Sequence, residues 1–296
     1  MEGSIERASK PDWLKVRMVP GPGLKKVRET LRARNVRTVC DSSRCPNLGD
    51  CWGSGTATFM ILGGVCTRAC RFCAVPCGDP LGVVDLDEPE RVALSVADLG
   101  LRHAVITSVT RDDLVDGGAS LYAATVREIR RSSPTTTIEL LIPDMGGEVG
   151  ALRTVASSRP DVIGHNLEVV SSLQPSIRGQ KAGYSRSLQV LGHLKSLAPA
   201  IWTKTSLMLG LGETHGEVLQ ALKDARERGV DLLALGQYLR PKGGSLPVSR
   251  YVPPQEFAEL RQEALDLGFR RVMAGPLVRS SYHAHDMLSE EDEDRC

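Results

Sequence analysis

The chain has 296 residues, enough to bury a substantial hydrophobic core without disulfide bonds. Its 37 Lys and Arg residues nearly balance 36 Asp and Glu residues, so a formal charge of +1 argues against nucleic-acid binding. The longest apolar run, from Phe59 to Leu62, is far shorter than the roughly 20 residues that cross a bilayer. The N-terminus also lacks an apolar signal segment, so we expect a cytoplasmic protein with no membrane partner.

The first 57 residues contain no clear strand and helix alternation. Six of the eight cysteines lie between residues 40 and 73, whereas a disulfide framework in a chain of this length would scatter them more widely. Their clustering favours metal ligation. We therefore expect residues 1–57 to form an extension that carries part of a metal site.

From about residue 59, short β-prone runs alternate with longer amphipathic segments, which predicts parallel βα units. Helix punctuation supports this, because Pro89 begins one segment that ends at Gly100, and Gly229 and Gly268 follow two others. Periodicity alone leaves open whether the units form a doubly wound sheet or a partial (β/α) barrel. The six predicted strands are Thr58–Leu62, His103–Ser108, Thr136–Ile142, Val162–Asn166, Trp202–Met208 and Leu232–Gln237.

The first cysteine triplet, Cys40, Cys45 and Cys51, has the spacing C-x4-C-x5-C. No fourth ligand stands nearby in the sequence. Taken alone, the triplet is either a metal loop that lacks a ligand or a cofactor site completed from elsewhere in the chain.

The second triplet, Cys66, Cys70 and Cys73, has the spacing C-x3-C-x2-C and follows the first predicted strand. Three thiolates can bind three irons of a 4Fe-4S cluster and leave the fourth iron open. A zinc site or structural thiols are the alternatives, although structural zinc normally has four protein ligands. With Phe72 before the last cysteine, the triplet resembles the signature of the radical S-adenosylmethionine (SAM) superfamily. In that family the open iron binds SAM, and an electron from the cluster cleaves it to methionine and a 5′-deoxyadenosyl radical.

A more specific resemblance extends over about residues 11 to 286. The first triplet with its internal Pro-Asn-Leu, and the segment from Gly55 to Gly63 before the second triplet, are similar to lipoyl synthase. Further matching segments are Ile106-Thr-Ser-Val-Thr-Arg-Asp-Asp-Leu114, Asp116-Gly-Gly118, His165-Asn-Leu-Glu168, Leu207-Met-Leu-Gly-Leu-Gly-Glu-Thr214, Gly236-Gln-Tyr-Leu239 and Arg279-Ser-Ser-Tyr282.

The resemblance implies an α/β fold, a partial (β/α)6 barrel of the radical SAM type over residues 58–275. It also implies an N-terminal extension, residues 1–57, that binds an auxiliary 4Fe-4S cluster, and a C-terminal segment, residues 276–296, with the Arg-Ser-Ser-Tyr motif and an acidic tail. In the family a serine of that motif binds the fourth auxiliary iron. Carried over, the ligand is Ser281, with Ser280 as the alternative, and a turn or capping role for these serines remains open.

The activity implied by the resemblance is the insertion of two sulfur atoms at C6 and C8 of a protein-bound octanoyl chain. The auxiliary cluster donates the sulfur, and two SAM molecules are used per turnover. The implied partners are an octanoylated lipoyl carrier domain, a low-potential electron donor and an iron-sulfur cluster delivery protein. The alternatives are another radical SAM sulfur-insertion enzyme and a non-catalytic iron-sulfur electron carrier.

Polar or glycine residues at predicted strand ends, together with the aromatic residue of the second triplet, are the candidate SAM contacts. Each has an ordinary alternative as a packing, turn or capping residue. We treat Cys77 and Cys296 as free thiols. The candidate contacts are Phe72, Thr107, Ser108, Asn166, Glu168, Gly210 and Gly212.

Overall fold

A computed structural model describes residues 10–15, 22–42, 45, 47–241 and 246–288. Its central feature is one parallel sheet in which each strand pairs with the next in chain order. Within these ranges the two end strands do not pair with each other, so the sheet stays open. Its seven strands are β1 Thr56–Ile61, β2 His103–Ser108, β3 Thr137–Leu141, β4 Val162–Gly164, β5 Trp202–Leu209, β6 Leu232–Gln237 and β7 Arg271–Gly275.

The predicted α/β fold class is confirmed, and all six predicted strands are present with small differences at their ends. β7 adds a seventh strand that the sequence did not predict. It is only five residues long, and its apolar run covers just residues 272–274, too short to indicate a strand from the sequence. β1 begins at Thr56, two residues earlier than predicted and inside the expected extension.

Helices cover the sheet and precede it. Gly100 ends α4 in the left-handed conformation at φ 58°, and Thr214 and Glu217 form a reciprocal capping box at the start of α9. Short 3-10 helices occupy Asp12–Leu14, Met145–Gly147 and Ser171–Leu173. The α-helices are α1 Pro22–Ala33, α2 Val39–Ser42, α3 Leu48–Gly53, α4 Glu88–Leu99, α5 Ala119–Ser132, α6 Val149–Ser157, α7 Gln174–Arg178, α8 Tyr184–Leu197, α9 His215–Glu227 and α10 Pro254–Asp266.

The two faces of the sheet differ in polarity. Phe59, Ile106 and Leu140 are fully buried in the apolar core that the sheet forms with its helices. Because side chains alternate along a strand, Glu139 points to the opposite, inner face. There both carboxylate oxygens of Glu139 accept hydrogen bonds of 3.0 Å from the ammonium of Lys204, and each side chain is 1% exposed. The inner face thus carries a buried ion pair rather than an apolar layer.

The segment after β7 returns to the N-terminal helices and the sheet. The Asn47 side chain donates a 2.6 Å hydrogen bond to the carbonyl of Leu277. Further along, Met287 is buried against Val162 and Leu232. Within the described ranges no helix has the length and apolarity to cross a membrane. The predicted acidic run at 289–294 and Cys296 lie outside the described residues.

Candidate functional site

The second cysteine triplet lies in the loop that follows β1. Its base is closed by backbone hydrogen bonds, from the Cys66 amide to the Pro76 carbonyl and from the Gly78 amide to the Cys66 carbonyl, both 2.9 Å long. Cys77 pairs with Cys66 in this short bridge and is an exposed free thiol. The loop is therefore a defined structure at the carboxyl end of the sheet, where parallel α/β folds place their chemistry.

The thiols of this triplet share one environment. Cys73 is exposed over part of its surface, but the protein atoms around its sulfur, with the neighbouring thiols, raise its pKa to about 11. Burial likewise raises the pKa of Cys70, and the nearby charge of Arg178 opposes that rise. Thiolates held this closely need a counter-charge, which bound iron supplies. The donor set therefore fits a 4Fe-4S cluster held through three irons.

A mononuclear site fits less well. In the part of the chain that the structure describes, no three His, Cys, Asp or Glu side chains converge at the distances that hold one ion. A cluster differs from an ion because each cysteine binds its own iron, so the thiols surround a larger volume.

Asn166 and Glu168 face this triplet from the end of β4. The Asn166 amide donates to the Glu168 carboxylate at 3.1 Å, and the charge of that carboxylate contributes to the raised pKa of Cys70 and Cys73. Glu168 has a left-handed backbone at φ 69°, and its amide and carbonyl pair with Ser206 and Met208 of β5. These two predicted SAM contacts are therefore brought to the triplet.

Arg178, the last residue of α7, is a site residue that the sequence analysis missed. Its Nη1 donates to the Leu167 carbonyl at 3.2 Å and to the Ser187 hydroxyl at 3.3 Å. The Arg178 Nε atom is buried and has no hydrogen-bond partner in the structure. The Cys70 sulfur lies 3.9 Å from the Arg178 carbonyl. A cationic group with an unused buried donor beside the triplet suits a ligand carboxylate.

The remaining predicted SAM contacts have ordinary partners. The Thr107 hydroxyl donates to the Leu141 carbonyl at 2.9 Å, and the Ser108 hydroxyl donates to the Val109 carbonyl at 2.7 Å. Phe72 packs against the apolar cluster that contains Ile177. The structure gives these three side chains packing or backbone contacts, and their role as SAM contacts stays a prediction.

Gly210 and Gly212 form a turn after β5 with φ angles of 93° and 114°. The amide of Gly210 donates to the Glu213 carboxylate at 2.6 Å. A Cβ on Gly210 would lie 2.2 Å from the side-chain nitrogen of Gln237 and 2.4 Å from the Arg250 carbonyl. Glycine is required at position 210 because the backbones approach closely there, whatever else the turn binds.

The first cysteine triplet is assembled by α2 and α3. The Cys45 amide donates to the Cys40 carbonyl at 2.9 Å. Burial, with the neighbouring thiols, raises the pKa of Cys51 to about 12. Burial also raises the pKa of Cys40, although hydrogen bonds with Thr58 oppose the rise. Like the second triplet, this set is a group of mutually close thiols that suits iron.

The C-terminal segment packs directly against the first triplet. The Thr58 hydroxyl, which also bonds Cys40, donates to the Ser281 hydroxyl at 2.9 Å. Arg279 is partly buried, and the resulting loss of solvent around its guanidinium lowers its pKa, whereas the nearby thiol of Cys45 opposes that change. Ser281, Arg279 and the triplet therefore occupy one site, although they are far apart in the sequence.

His283 connects the C-terminal segment to α3 through its imidazole. Its Nε2 lies 2.7 Å from the Asp50 carboxylate, and its Nδ1 lies 2.7 Å from the Asp286 carboxylate. Burial opposes the charged imidazolium, but the two carboxylates raise the pKa of His283. The backbone of His283 also hydrogen-bonds Cys51.

The two serines of the segment face different triplets. Ser280 donates a 3.1 Å hydrogen bond to the side-chain oxygen of Asn166, beside the second triplet. Ser281 contacts Thr58, beside the first. Two adjacent residues thus contact the surroundings of both triplets.

The sequence has extensive similarity to known proteins. Residues 60–225 match the sequence profile of the Radical SAM superfamily. The lipoyl synthase of Rubrobacter xylanophilus is 52% identical over 284 residues, 96% of this chain and 88% of that protein. The lipoyl synthase of Thermus thermophilus is 51% identical over 282 residues, 95% of this chain and 87% of that protein.

Solved structures share the fold at low sequence identity. Methylornithine synthase (PylB) has a TM-score of 0.54 and 11% identity, and the match covers 94% of this chain and 86% of that one. The FeFe-hydrogenase maturase HydG from Carboxydothermus hydrogenoformans has a TM-score of 0.56 and 11% identity, with 85% and 75% covered.

Proposed function

The chain belongs to the lipoyl synthase family of the radical SAM superfamily, and we propose that it inserts sulfur at C6 and C8 of an octanoyl chain carried on a lysine of a partner protein. The observation that carries this proposal is the placement of Ser280 and Ser281, which join the two cysteine triplets through one short segment. Sulfur insertion needs its radical source and sulfur donor close together, because a carbon radical left waiting is quenched.

We assign a SAM-binding 4Fe-4S cluster to Cys66, Cys70 and Cys73. When bound, this cluster supplies the electron that cleaves SAM. The protein's part is to orient SAM: the Glu168 carboxylate and Asn166 amide offer an acceptor and a donor for its hydroxyl or amino groups. Arg178, with its unpartnered Nε, offers a counter-charge for the SAM carboxylate.

We assign the auxiliary 4Fe-4S cluster to Cys40, Cys45, Cys51 and Ser281, with sulfur donation as its chemistry. Ser281 is favoured over Ser280 because its hydroxyl lies at Thr58, a partner of Cys40. The Ser280 hydroxyl is instead used by Asn166. Partly buried Arg279 adds positive charge beside Cys45, which offsets the charge of the thiolates.

The proposed activity defines the partners. The substrate is an octanoylated lipoyl carrier domain. An external low-potential donor supplies electrons, and a cluster delivery protein replaces consumed sulfide. We place the reaction in the cytoplasm, because reducing conditions preserve free thiols and low-potential clusters.

An anaerobic assay tests this function. The reconstituted protein is mixed with SAM, dithionite and an octanoyl-lysine peptide, and mass spectrometry follows the peptide. We expect two added sulfurs, with two deoxyadenosines per product, and about eight irons per chain. An electron carrier would leave SAM intact, and SAM cleavage without any thiolated peptide would refute the lipoyl synthase assignment alone.

A matched pair of variants tests the serine assignment. Ser281→Ala should abolish sulfur insertion and disturb the auxiliary cluster, while deoxyadenosine formation from SAM continues. Ser280→Ala removes a hydroxyl one residue away and should retain the auxiliary cluster. Full sulfur insertion by Ser281→Ala would show that the assignment is wrong.

A further inference from the structure

Arg68 lies inside the second triplet loop, between Cys66 and Cys70, and its guanidinium is bound by two carboxylates. Nε and Nη2 donate to both oxygens of Asp112 at 2.9 and 2.7 Å. Nη1 and Nη2 donate to both oxygens of Asp144 at 2.8 and 2.7 Å. The Arg68 side chain is 5% exposed and that of Asp144 is 0% exposed. One buried guanidinium therefore makes two bidentate ion pairs, a rigid arrangement that lysine cannot reproduce.

These carboxylates come from two other loops at the same edge of the sheet. Asp112 follows β2 and Asp144 follows β3. The first contact is reinforced by Thr67, whose amide donates to the Thr110 carbonyl and whose hydroxyl lies 3.0 Å from the Asp112 carboxylate. Asp144 in turn accepts a 3.1 Å hydrogen bond from the Gly146 amide, which fixes the carboxylate itself. The second triplet loop is thus tied to the ends of two strands through residues between its first two cysteines.

The backbone of Arg68 contacts the sulfur of a cysteine in the second triplet. The Arg68 amide donates a 3.4 Å hydrogen bond to the Cys66 sulfur. Hydrogen bonds to ligand sulfurs tune the reduction potential of a cluster, and partners that orient ligands affect affinity strongly. The ion pairs that fix the Arg68 side chain therefore also fix this hydrogen bond and the orientation of the second triplet loop.

We propose that Arg68 is a positioning residue. Its ion pairs with Asp112 and Asp144 hold the second triplet at the position relative to Asn166 and Glu168 that SAM binding requires. This inference rests on the proposed radical SAM function. A buried ion pair that served stability alone would not need to lie inside the second triplet loop. It would also not need to place a backbone amide against the Cys66 sulfur.

The test compares Arg68→Lys with the wild-type full chain, both reconstituted anaerobically. SAM affinity is measured by equilibrium binding, and the reduced protein is examined by electron paramagnetic resonance with and without SAM. We expect the SAM dissociation constant to rise at least about tenfold, and the signal that responds to SAM to change its g values. Asp112→Asn leaves the Asp144 pair in place, so a smaller rise of roughly threefold is expected; it serves as the test if Arg68→Lys does not fold.

Arg130→Lys is the matched control. Arg130 donates to Asp161 at 2.6 Å and to the Thr136 carbonyl at 2.8 Å, before β3 and β4, away from the cluster loop. This variant should keep wild-type SAM affinity and spectra. Wild-type SAM affinity and spectra in a folded Arg68→Lys protein would overturn the proposal, as would a loss of affinity fully explained by its unfolding curve. A wild-type chain that binds no SAM would instead refute the proposed function.

Discussion

Removing Lys204 should destabilise the protein severely, because its partner Glu139 would remain as a buried charge. Both side chains are 1% exposed, and both Glu139 oxygens accept bonds of 3.0 Å from the ammonium. His103 Nε2, at 3.5 Å, is the remaining nearby group. Removing one partner of a buried pair costs about 3–5 kcal/mol. For a chain of this size, that corresponds to a fall of roughly 6–10 °C in Tm.

Lys195→Ala is the comparison in which the carboxylate that loses its ammonium keeps other partners. Lys195 lies 2.7 Å from the Asp231 carboxylate, but its side chain is 27% exposed. The Asp231 side chain is 7% exposed, but its carboxylate keeps hydrogen bonds of 3.0 Å from the amide and the hydroxyl of Thr203 and lies 3.7 Å from Arg270. We therefore expect a cost of only about 1 kcal/mol. Anaerobic thermal unfolding of Lys204→Ala, Lys195→Ala and the wild type measures the difference.

The double variant Glu139→Gln with Lys204→Met separates the effect of the unpaired charge from the effect of the lost side-chain volume. Because no unpaired charge remains, we expect it to recover most of the stability lost by Lys204→Ala. Equal Tm values for Lys204→Ala and Lys195→Ala would refute the reasoning, because leaving a buried carboxylate without an ammonium partner would then cost no more than leaving one that keeps other partners.

Three further outcomes are expected. Burial would raise the pKa of Asp144, but hydrogen bonds from Arg68 lower it below its usual value. The contribution of Asp144 to stability is therefore present at pH 7 and is lost as the pH falls through the lowered pKa. Asp144→Asn should accordingly flatten the decline of Tm in acid. Gly210→Ala should cost at least about 2 kcal/mol through backbone strain and overlap, whereas Gly150→Ala, in helix α6 with nothing within 4 Å of an added Cβ, should slightly raise Tm. His283→Gln should lower iron from about eight toward about four per chain while SAM still binds, and unchanged iron would show that His283 does not support the first triplet.

Features encoded by nearby residues were predictable. The cysteine spacings and the apolar runs of β2 and β6 are local, and β2 and β6 have the predicted bounds. Asn166 and Glu168 were identified because polar residues at the carboxyl ends of parallel strands meet at one edge.

Features that depend on distant partners were not predictable. Arg178 lies in a short helix without a motif, and only the folded chain brings it beside Cys70. The partners Glu139 and Lys204 are separated by 65 residues, and each alone looks like an ordinary exposed charge. The Thr107 hydroxyl donates to the Leu141 carbonyl of the neighbouring strand, a contact that its position at a strand end did not predict.

We expect the adjacency of Ser280 and Ser281 to couple ligand binding at the two cysteine triplets. A single peptide unit joins a residue held at Thr58 to one held at Asn166, so neither contact can be released without changing the freedom of the other. Such coupling is reciprocal: whatever the occupancy of the first triplet does to SAM affinity, SAM must do equally to the first triplet. The proposed reaction uses two SAM molecules at one acyl chain, and we expect this coupling to make the occupancy of each triplet change the ligand affinity of the other.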